Sequence, residues 1–592
     1  TTGANNTAVG QGALVTNSTG SDNVAVGDDA LRLNTGSQNT AVGTDCLDDN
    51  TADDNTAVGY RALHQNTTGT LNAAVGSSAL LTNTTGIRNA AFGNDALKVN
   101  TTGSRNVAVG VYALDENTTA DYNTALGYAA LTSNTTAENN TAVGGAALLL
   151  NTTGAGNVAV GTYALDSNTT ADNNVAVGYN ALGVNSTGTR NTGIGGYALQ
   201  QNTTANDNTA LGYNALGANT TGAENIAIGS YAGDANTTGD DNVAIGIYAF
   251  SANTTGAHNT SVGRAALGSN TTASNNTAIG SNSMNANTTG TRNCAVGYHS
   301  LYANTTSNDN TAFGYNTLKT ANGADGCTAV GQGALALTTT GDNNVAVGYA
   351  ALNANTTGDR NTAVGTLALI AATTAQKNTS MGFESLKACT TGGDNTALGA
   401  YTLLVNTTGG SNVAIGQGCL ESNTTASSNV GVGVGALQIN TTGTVNTACG
   451  YQALNLITTG SNNTCVGYNA GQNITTGGSN VCIGNRAGDD QLSTDGDRLF
   501  IARSNTGSSN AATWIYGNNS GACYQGNNSS SWSTTSDRRL KKNIVDNNKG
   551  LAEINQLRVT DFEYRNEDEI DMSEFPLADG PHQVVLGKGN EG

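Results

Sequence analysis

Asparagine–threonine triplets recur along this 592-residue chain at a nearly constant spacing, and their residue types suggest a specific chemistry. Asn-x-Thr is the acceptor sequence for N-linked glycans on exposed turns of secreted proteins. The structural alternative is turn geometry, because asparagine tolerates a left-handed backbone. Several units replace this asparagine, for example by Thr338, Ala372, Cys389 or Ile457, yet keep the threonine pair that follows. The candidate glycosylation sites are Asn17, Asn66, Asn83, Asn100, Asn117, Asn134, Asn151, Asn168, Asn185, Asn202, Asn219, Asn236, Asn253, Asn270, Asn287, Asn304, Asn355, Asn406, Asn423 and Asn440.

The threonine pairs and a recurrent tyrosine indicate two further candidate surfaces. A flat threonine array would be typical of an ice-binding solenoid, in which threonines alternate as Thr-x-Thr. The threonines here are adjacent and therefore point to opposite sides, which disfavours that function. Tyrosine often follows a recurrent glycine, and a row of such rings would either bind sugars or pack between repeats. These tyrosines include Tyr60, Tyr128, Tyr179, Tyr213 and Tyr349.

Charge and composition exclude several other functions. The net charge of −20 repels nucleic acid and anionic membranes. No apolar run approaches the ~18 residues that a membrane helix needs. The four histidines and nine cysteines lack metal-ligand spacing, so the sequence predicts no metal site and no cofactor. We expect the cysteines to be small buried side chains, while the equivalent repeat positions of Cys465 and Cys482 leave a disulfide open.

A repeat positions all of these residues. Its glycine recurs from Gly10 to Gly484 in 29 units of 17 residues, with 16-residue spacings ending at Gly43 and Gly59. Such regularity predicts a solenoid. A tail-spike glycosidase would need two carboxylates about 5–10 Å apart, and a uniform repeat supplies no unique pair.

Each unit is predicted to form one coil. Asparagine stands four residues before the glycine, and the run N-[TV]-A-V-G alternates with period two, as a strand does. Leucine stands four residues after the glycine in a second extended piece, and N-T-T-G/A forms the turn. Parallel coils would build a rod of about 140 Å. We expect the valine or isoleucine before the glycine, and the leucine after it, to line the interior. The small strand residues would allow close backbone approach, and the asparagine before the strand would form an amide ladder.

The unit N-[TV]-A-V-G-x-x-A-L resembles the head repeats of YadA-type trimeric autotransporter adhesins over about residues 5–490. Those repeats read roughly N-S-V-A-I-G and fold as a left-handed parallel β-roll, with three rolls around one axis. The units of that family are shorter, near fourteen residues, and no anchor domain accompanies the repeats here. The resemblance implies a homotrimer.

A second resemblance lies near the end of the chain. The runs SDRRLKKNI and GLAEINQLRVTDFEYR, within residues 536–565, are similar to the start of the intramolecular chaperone of phage tail spikes and fibres, the S74 peptidase family. That family trimerises, assists fibre folding and then cuts itself off before the serine. The resemblance implies Ser536 as the nucleophile and Lys541 as its base, a pairing that Ser-Lys hydrolases also use. An uncut attachment segment is the alternative.

The sequence therefore predicts an all-β chain of three parts. A parallel β-roll or β-solenoid of 29 coils spans 1–488, and the incomplete start of an α/β chaperone segment spans 536–592. Between them, a short β neck spans 489–535, in which the runs RLFIA (498–502) and TWIYG (513–517) predict short strands. We expect an extracellular structural fibre, either a phage or virus tail fibre or spike or a cell-surface filament. It would attach to a host receptor or glycan, without nucleic-acid binding or membrane insertion. A bacterial adhesin head is the main alternative.

Overall fold

The computed structural model describes residues 2–489, 493–503 and 513–525. Its dominant feature is a ladder of three-residue strands, one for each repeat and all parallel. Within the described residues the structure contains strands and turns but no helix, which confirms the predicted parallel β-solenoid of 29 coils. Strands β1–β29 span Thr7–Val9, Val24–Val26, Thr40–Val42, Thr56–Val58, Ala73–Val75, Ala90–Phe92, Val107–Val109, Thr124–Leu126, Thr141–Val143, Val158–Val160, Val175–Val177, Thr192–Ile194, Thr209–Leu211, Ile226–Ile228, Val243–Ile245, Thr260–Val262, Thr277–Ile279, Cys294–Val296, Thr311–Phe313, Thr328–Val330, Val345–Val347, Thr362–Val364, Thr379–Met381, Thr396–Leu398, Val413–Ile415, Val430–Val432, Thr447–Cys449, Thr464–Val466 and Val481–Ile483.

The coil formed by residues 208–224 illustrates how the chain is held to its neighbours. The N–H of Thr209 donates to the carbonyl of Asn225 in the following coil at 2.8 Å. The N–H of Gly212 donates to the carbonyl of Ile194 in the preceding coil at 2.8 Å. Because the backbone bonds in both directions, each coil depends on both neighbours, as in other one-dimensional repeat proteins.

Alanine, leucine and asparagine line the interior of the rod. In the coil 208–224, Ala210 at the middle of the strand and Ala215 are fully buried, and Leu216 is 3% exposed. The prediction that the residue before the glycine lies inside was wrong, since Leu211 at that position is 45% exposed. A strand has two opposite faces, and the narrow interior of a 17-residue coil accommodates only the face with the small residue.

The alanine–leucine segment is a turn and not the second extended piece that the pattern predicted. Ala215 and Leu216 are both buried, and consecutive residues of an extended strand cannot share a face. The backbone therefore takes left-handed conformations at Asn214 (φ 55°) and Leu216 (φ 49°). This conformation costs roughly 1–2 kcal/mol in residues other than glycine. It places the Leu216 N–H 3.0 Å from the carbonyl of Ala232 in the next coil, and this bond offsets part of the cost.

Three strands close the C-terminal end of the ladder: β30 (Leu499–Ala502), β31 (Thr513–Gly517) and β32 (Cys523–Gln525). Strand β30 continues the parallel ladder, while β31 and β32 add antiparallel pairs. The two predicted neck strands, RLFIA and TWIYG, are thus confirmed. Phe500 is 3% exposed and lies in register beside Cys482, so it covers the interior of the last coil.

The proposed division into 1–488, 489–535 and 536–592 stays a prediction. The third segment, with Ser536 and Lys541, lies outside the described residues. The described part of the chain contains no helix with the length and hydropathy of a membrane span.

Candidate functional site

The asparagines of the Asn-x-Thr triplets point into the rod. Nineteen of the twenty candidate residues are fully buried, and only Asn17, in the first coil, is partly exposed. The Nδ2 atom of Asn219 donates to Oδ1 of Asn202 in the preceding coil at 3.0 Å and to the carbonyl of Gly222 at 2.8 Å. Repeated from coil to coil, these bonds form a buried amide ladder.

This geometry disfavours N-glycosylation of the folded rod, and the assignment of the twenty sites stays a prediction. The acceptor nitrogen of a buried triplet lies in the interior, and both of its hydrogens already have partners. The structural alternative, a bend stabilised by asparagine, is the role that the coil displays. The sequence contained a signal for this, because the substitutes Ala372, Cys389 and Ile457 are residues suited to an interior, and all three are fully buried.

The asparagine before each strand is also buried, but it bonds mainly to the backbone. The N–H of Asn208 donates to Oδ1 of Asn191 at 3.0 Å, and its own Oδ1 accepts the N–H of Asn225 at 2.9 Å. Its Nδ2 donates to the carbonyl of Gly222 at 2.9 Å. The predicted amide ladder at this position is therefore largely a ladder of side-chain-to-backbone bonds. It satisfies buried backbone groups where the strand begins.

The threonine pairs divide into one structural and one exposed residue. The Oγ1 of Thr220 donates to the carbonyl of Thr237 in the next coil at 2.9 Å, whereas Thr221 is exposed. Only one threonine of each pair is therefore free to form a surface row. This arrangement disfavours an ice-binding array, as the adjacency of the threonines already indicated.

Six tyrosines on successive coils form a continuous row on the surface, which we call the tyrosine track. Neighbouring ring centroids lie 5.3 to 6.1 Å apart, within the range of favourable aromatic contact. Four of the rings are 45–49% exposed. The track consists of Tyr163, Tyr179, Tyr197, Tyr213, Tyr231 and Tyr248. It is a local departure from the uniform repeat and the most extensive aromatic surface of the described rod.

A groove of about 300 Å³ lies farther along the rod, where two successive coils carry Gly418 and Gly435. Tyr401 lines one side, and the carboxylate of Glu421 accepts a hydrogen bond from Nε2 of Gln438 at 2.8 Å. The groove thus combines an aromatic wall with polar groups already bonded to one another.

Half-buried carboxylates occur at Asp115, Asp166 and Asp234, which occupy one repeat position. Burial raises the pKa of each of these carboxyls. Asp115 and Asp166 are three coils apart, and Asp166 and Asp234 are four coils apart, or about 14 and 19 Å at parallel-strand spacing. These separations exceed the ~5–10 Å between the carboxyl groups of a glycosidase.

Most cysteines are interior side chains. Burial raises the pKa of the Cys46 thiol to about 12 and that of Cys327 to about 11, so both remain protonated at neutral pH. Cys465 and Cys482 lie side by side as buried free thiols, without the disulfide that their positions left open. The described residues contain no group of three or more histidine, cysteine, aspartate or glutamate side chains that could hold a metal ion.

Residues 536–576 match the family model described as the chaperone of endosialidase. No curated protein matches the chain. The matched segment contains Ser536 and Lys541, and its family is linked to self-cleaving chaperones that take part in fibre trimerisation. Together with the solenoid of 29 coils, the match fits an elongated, tail-fibre-like protein whose assembly is assisted by a C-terminal chaperone segment.

Proposed function

We propose that the chain is one subunit of a homotrimeric extracellular fibre, either a phage or virus tail fibre or a spike. The observation that carries this proposal is the chaperone match at residues 536–576, directly after a uniform rod and its neck. A long parallel solenoid folds slowly, because it is stable only when many coils have paired and its ends are capped. A chaperone that holds three chains together would assist this step.

The chaperone segment would remove itself once assembly is complete. The hydroxyl of Ser536 would attack the carbonyl carbon of Thr535 and pass its proton to an unprotonated Lys541 amine. The peptide bond would break as the ester forms, and the lysine proton would go to the departing Ser536 amine. Water would then hydrolyse the ester, which leaves a carboxylate on Thr535 and restores the serine hydroxyl.

Intact mass spectrometry of the denatured chain tests this proposal. We expect the rod to end at Thr535, and we expect Ser536→Ala and Lys541→Ala to retain the full precursor mass, because each removes one partner of the reaction. Ser533→Ala and Lys542→Ala are matched controls that should cleave normally. A native chain that continues past residue 592 would contradict the cleavage step. The same spectrum should show no ladder of sugar masses on the rod.

The fibre would present its rod to a host surface, with a receptor or glycan as partner. The tyrosine track supports this role, because it presents exposed aromatic faces on which sugar rings can stack. We expect a triple variant, Tyr179→Ala with Tyr197→Ala and Tyr213→Ala, to lose binding to neutral polysaccharides without a change in thermal unfolding. The control replaces Tyr60 and Tyr349, which lie outside the track. Equal binding by both variants would exclude the track as the attachment surface.

A further inference from the structure

One face of the parallel sheet is turned outward along the whole rod. We call it the strand face, and it comprises the first and third residues of strands β1–β29. None of these positions is buried. Yet the third residue of each strand is valine, isoleucine, leucine, phenylalanine, methionine or cysteine. The first residues are threonine, valine, isoleucine, alanine or cysteine. The strand face thus carries no charge in a chain whose net charge is −20.

An uncharged sheet face of this length requires a cover. Parallel sheets occur almost only with both faces packed. In the single rod, this sheet is packed on its inner face alone, and the strand face lies open. At about 4.8 Å per coil and roughly 5 Å per side chain, the row formed by the third residue of each strand alone covers about 700 Å². That exceeds the roughly 300–600 Å² of the largest apolar patch on a typical monomer, and the first residues of the strands widen the patch.

The period of the strand face indicates what covers it. The same apolar position recurs in all 29 coils, so a partner that covers the face must present matching contacts at the same rise over the whole rod. Another copy of this chain has that rise by construction, whereas a partner with an unrelated fold would match only a local patch. We propose that the strand faces of several copies pack against one another in the assembled fibre, an inference that rests on the proposed homotrimer.

In-register packing around a common axis places identical residues at the same level. Phe92 would then lie beside Phe92 of the other copies, and Phe313 beside Phe313, so that large side chains meet in shared layers. β-Branched valine, isoleucine and threonine fill the layers between them and pack well on pleated surfaces. Cys449 occupies the third position of β27 and is exposed on the single rod, so it is a native reporter of this packing.

Labelling of the native assembly with a bulky maleimide, followed by peptide mass mapping, tests the proposal. We expect Cys449 to lose its labelling in the assembly and regain it after denaturation. Cys523, also exposed but on β32, should label in both states. Mild oxidation should link Cys449 to Cys449 between chains. As a positional control, Thr442→Cys places a thiol at an exposed threonine site away from the strand face.

Light scattering on the same sample separates the two proposals. A monomer would overturn both the homotrimer and the strand-face contact. A trimer in which Cys449 labels as fast as Cys523 would overturn only the strand face. A charge variant supplies a second readout: Ile194→Lys, Leu211→Lys and Ile228→Lys together should cause loss of the trimer, because three layers would bury like charges. The matched variant with lysine at the exposed Thr187, Thr204 and Thr221 should remain a trimer.

Discussion

Replacing Gly212 by alanine is expected to divide the rod into two parts that unfold separately, whereas Gly222→Ala leaves it intact. A Cβ at either position would lie close to a carbonyl oxygen of the next coil, at 2.5 Å from Gly229 and 2.4 Å from Gly239. Space alone therefore does not separate the two sites. The preceding coil already carries Ala205 at the position equivalent to Gly222, so a small adjustment accommodates the methyl group there.

The backbone conformation separates them. Gly212 has a φ of +143°, in a region that is essentially restricted to glycine, and all 29 coils carry glycine at this position. The strain of about 1–3 kcal/mol adds to the clash with the next coil, and neither can relax without loss of the bonds between coils. Since each coil is held only by its neighbours, weaker bonds at this coil would uncouple the unfolding of the coils before it from that of the coils after it.

Limited proteolysis during urea unfolding measures the outcome. Gly212→Ala should give two protected fragments that meet near residue 212, with a lowered midpoint for at least one of them. Gly222→Ala should unfold like the unmodified rod. Identical unfolding of the two variants would refute the assignment of Gly212 as a conformational requirement.

Alanine substitutions in the two buried asparagine ladders should lower the free energy of unfolding by different amounts. Asn208→Ala leaves the buried N–H of Asn225 without its acceptor, and we expect it to cost roughly 3 kcal/mol. Asn219→Ala removes two bonds between side chains, the one it donates to Asn202 and the one it accepts from Asn236, but the carbonyl of Gly222 keeps its bond from Asn208. The neighbouring amides can also reorient. We therefore expect about 1 kcal/mol for this second variant.

The natural sequence supports this ranking. The asparagine before the strand is absent from a single coil, at Cys327, whereas the triplet asparagine gives way to Ala321, Thr338, Ala372 and others. Chemical denaturation of the two alanine variants, with hydrogen exchange at the Asn225 amide, provides the measurement. A larger loss of stability in Asn219→Ala than in Asn208→Ala would show that the amide ladder, and not the backbone bonds, holds the coils.

Much of the fold follows from periodicity alone. The recurrence of glycine predicts the number of coils and their in-register parallel pairing, and the run RLFIA predicts β30. Periodicity does not tell which face of a strand points inward. Hydrophobicity favoured the valine row, but the interior of a 17-residue coil is too narrow for it, so Ala210 lies inside and Leu211 outside. The consecutive burial of Ala215 and Leu216 likewise required left-handed residues that no short pattern indicates.

The candidate sites were harder to predict because one residue type serves several purposes. Asn219 reads as a glycan acceptor in a sequence motif and as a buried hydrogen-bonding group in the coil. Other coils carry apolar residues at the position equivalent to Asn219. These replacements distinguish the two roles only once that position is known to be interior. The pairing of Ser536 with Lys541 rests on family resemblance. Whether the two side chains meet depends on the fold of their segment, which their spacing in the sequence does not predict.

Cryo-electron microscopy of the native assembly would show how the solenoids pack in the fibre. We expect three parallel solenoids with a rise of about 4.8 Å per coil and with their strand faces turned towards a common axis. Density for Phe92, Phe313 and Cys449 should lie near that axis. A single solenoid, or three solenoids with these side chains facing solvent, would contradict this expectation.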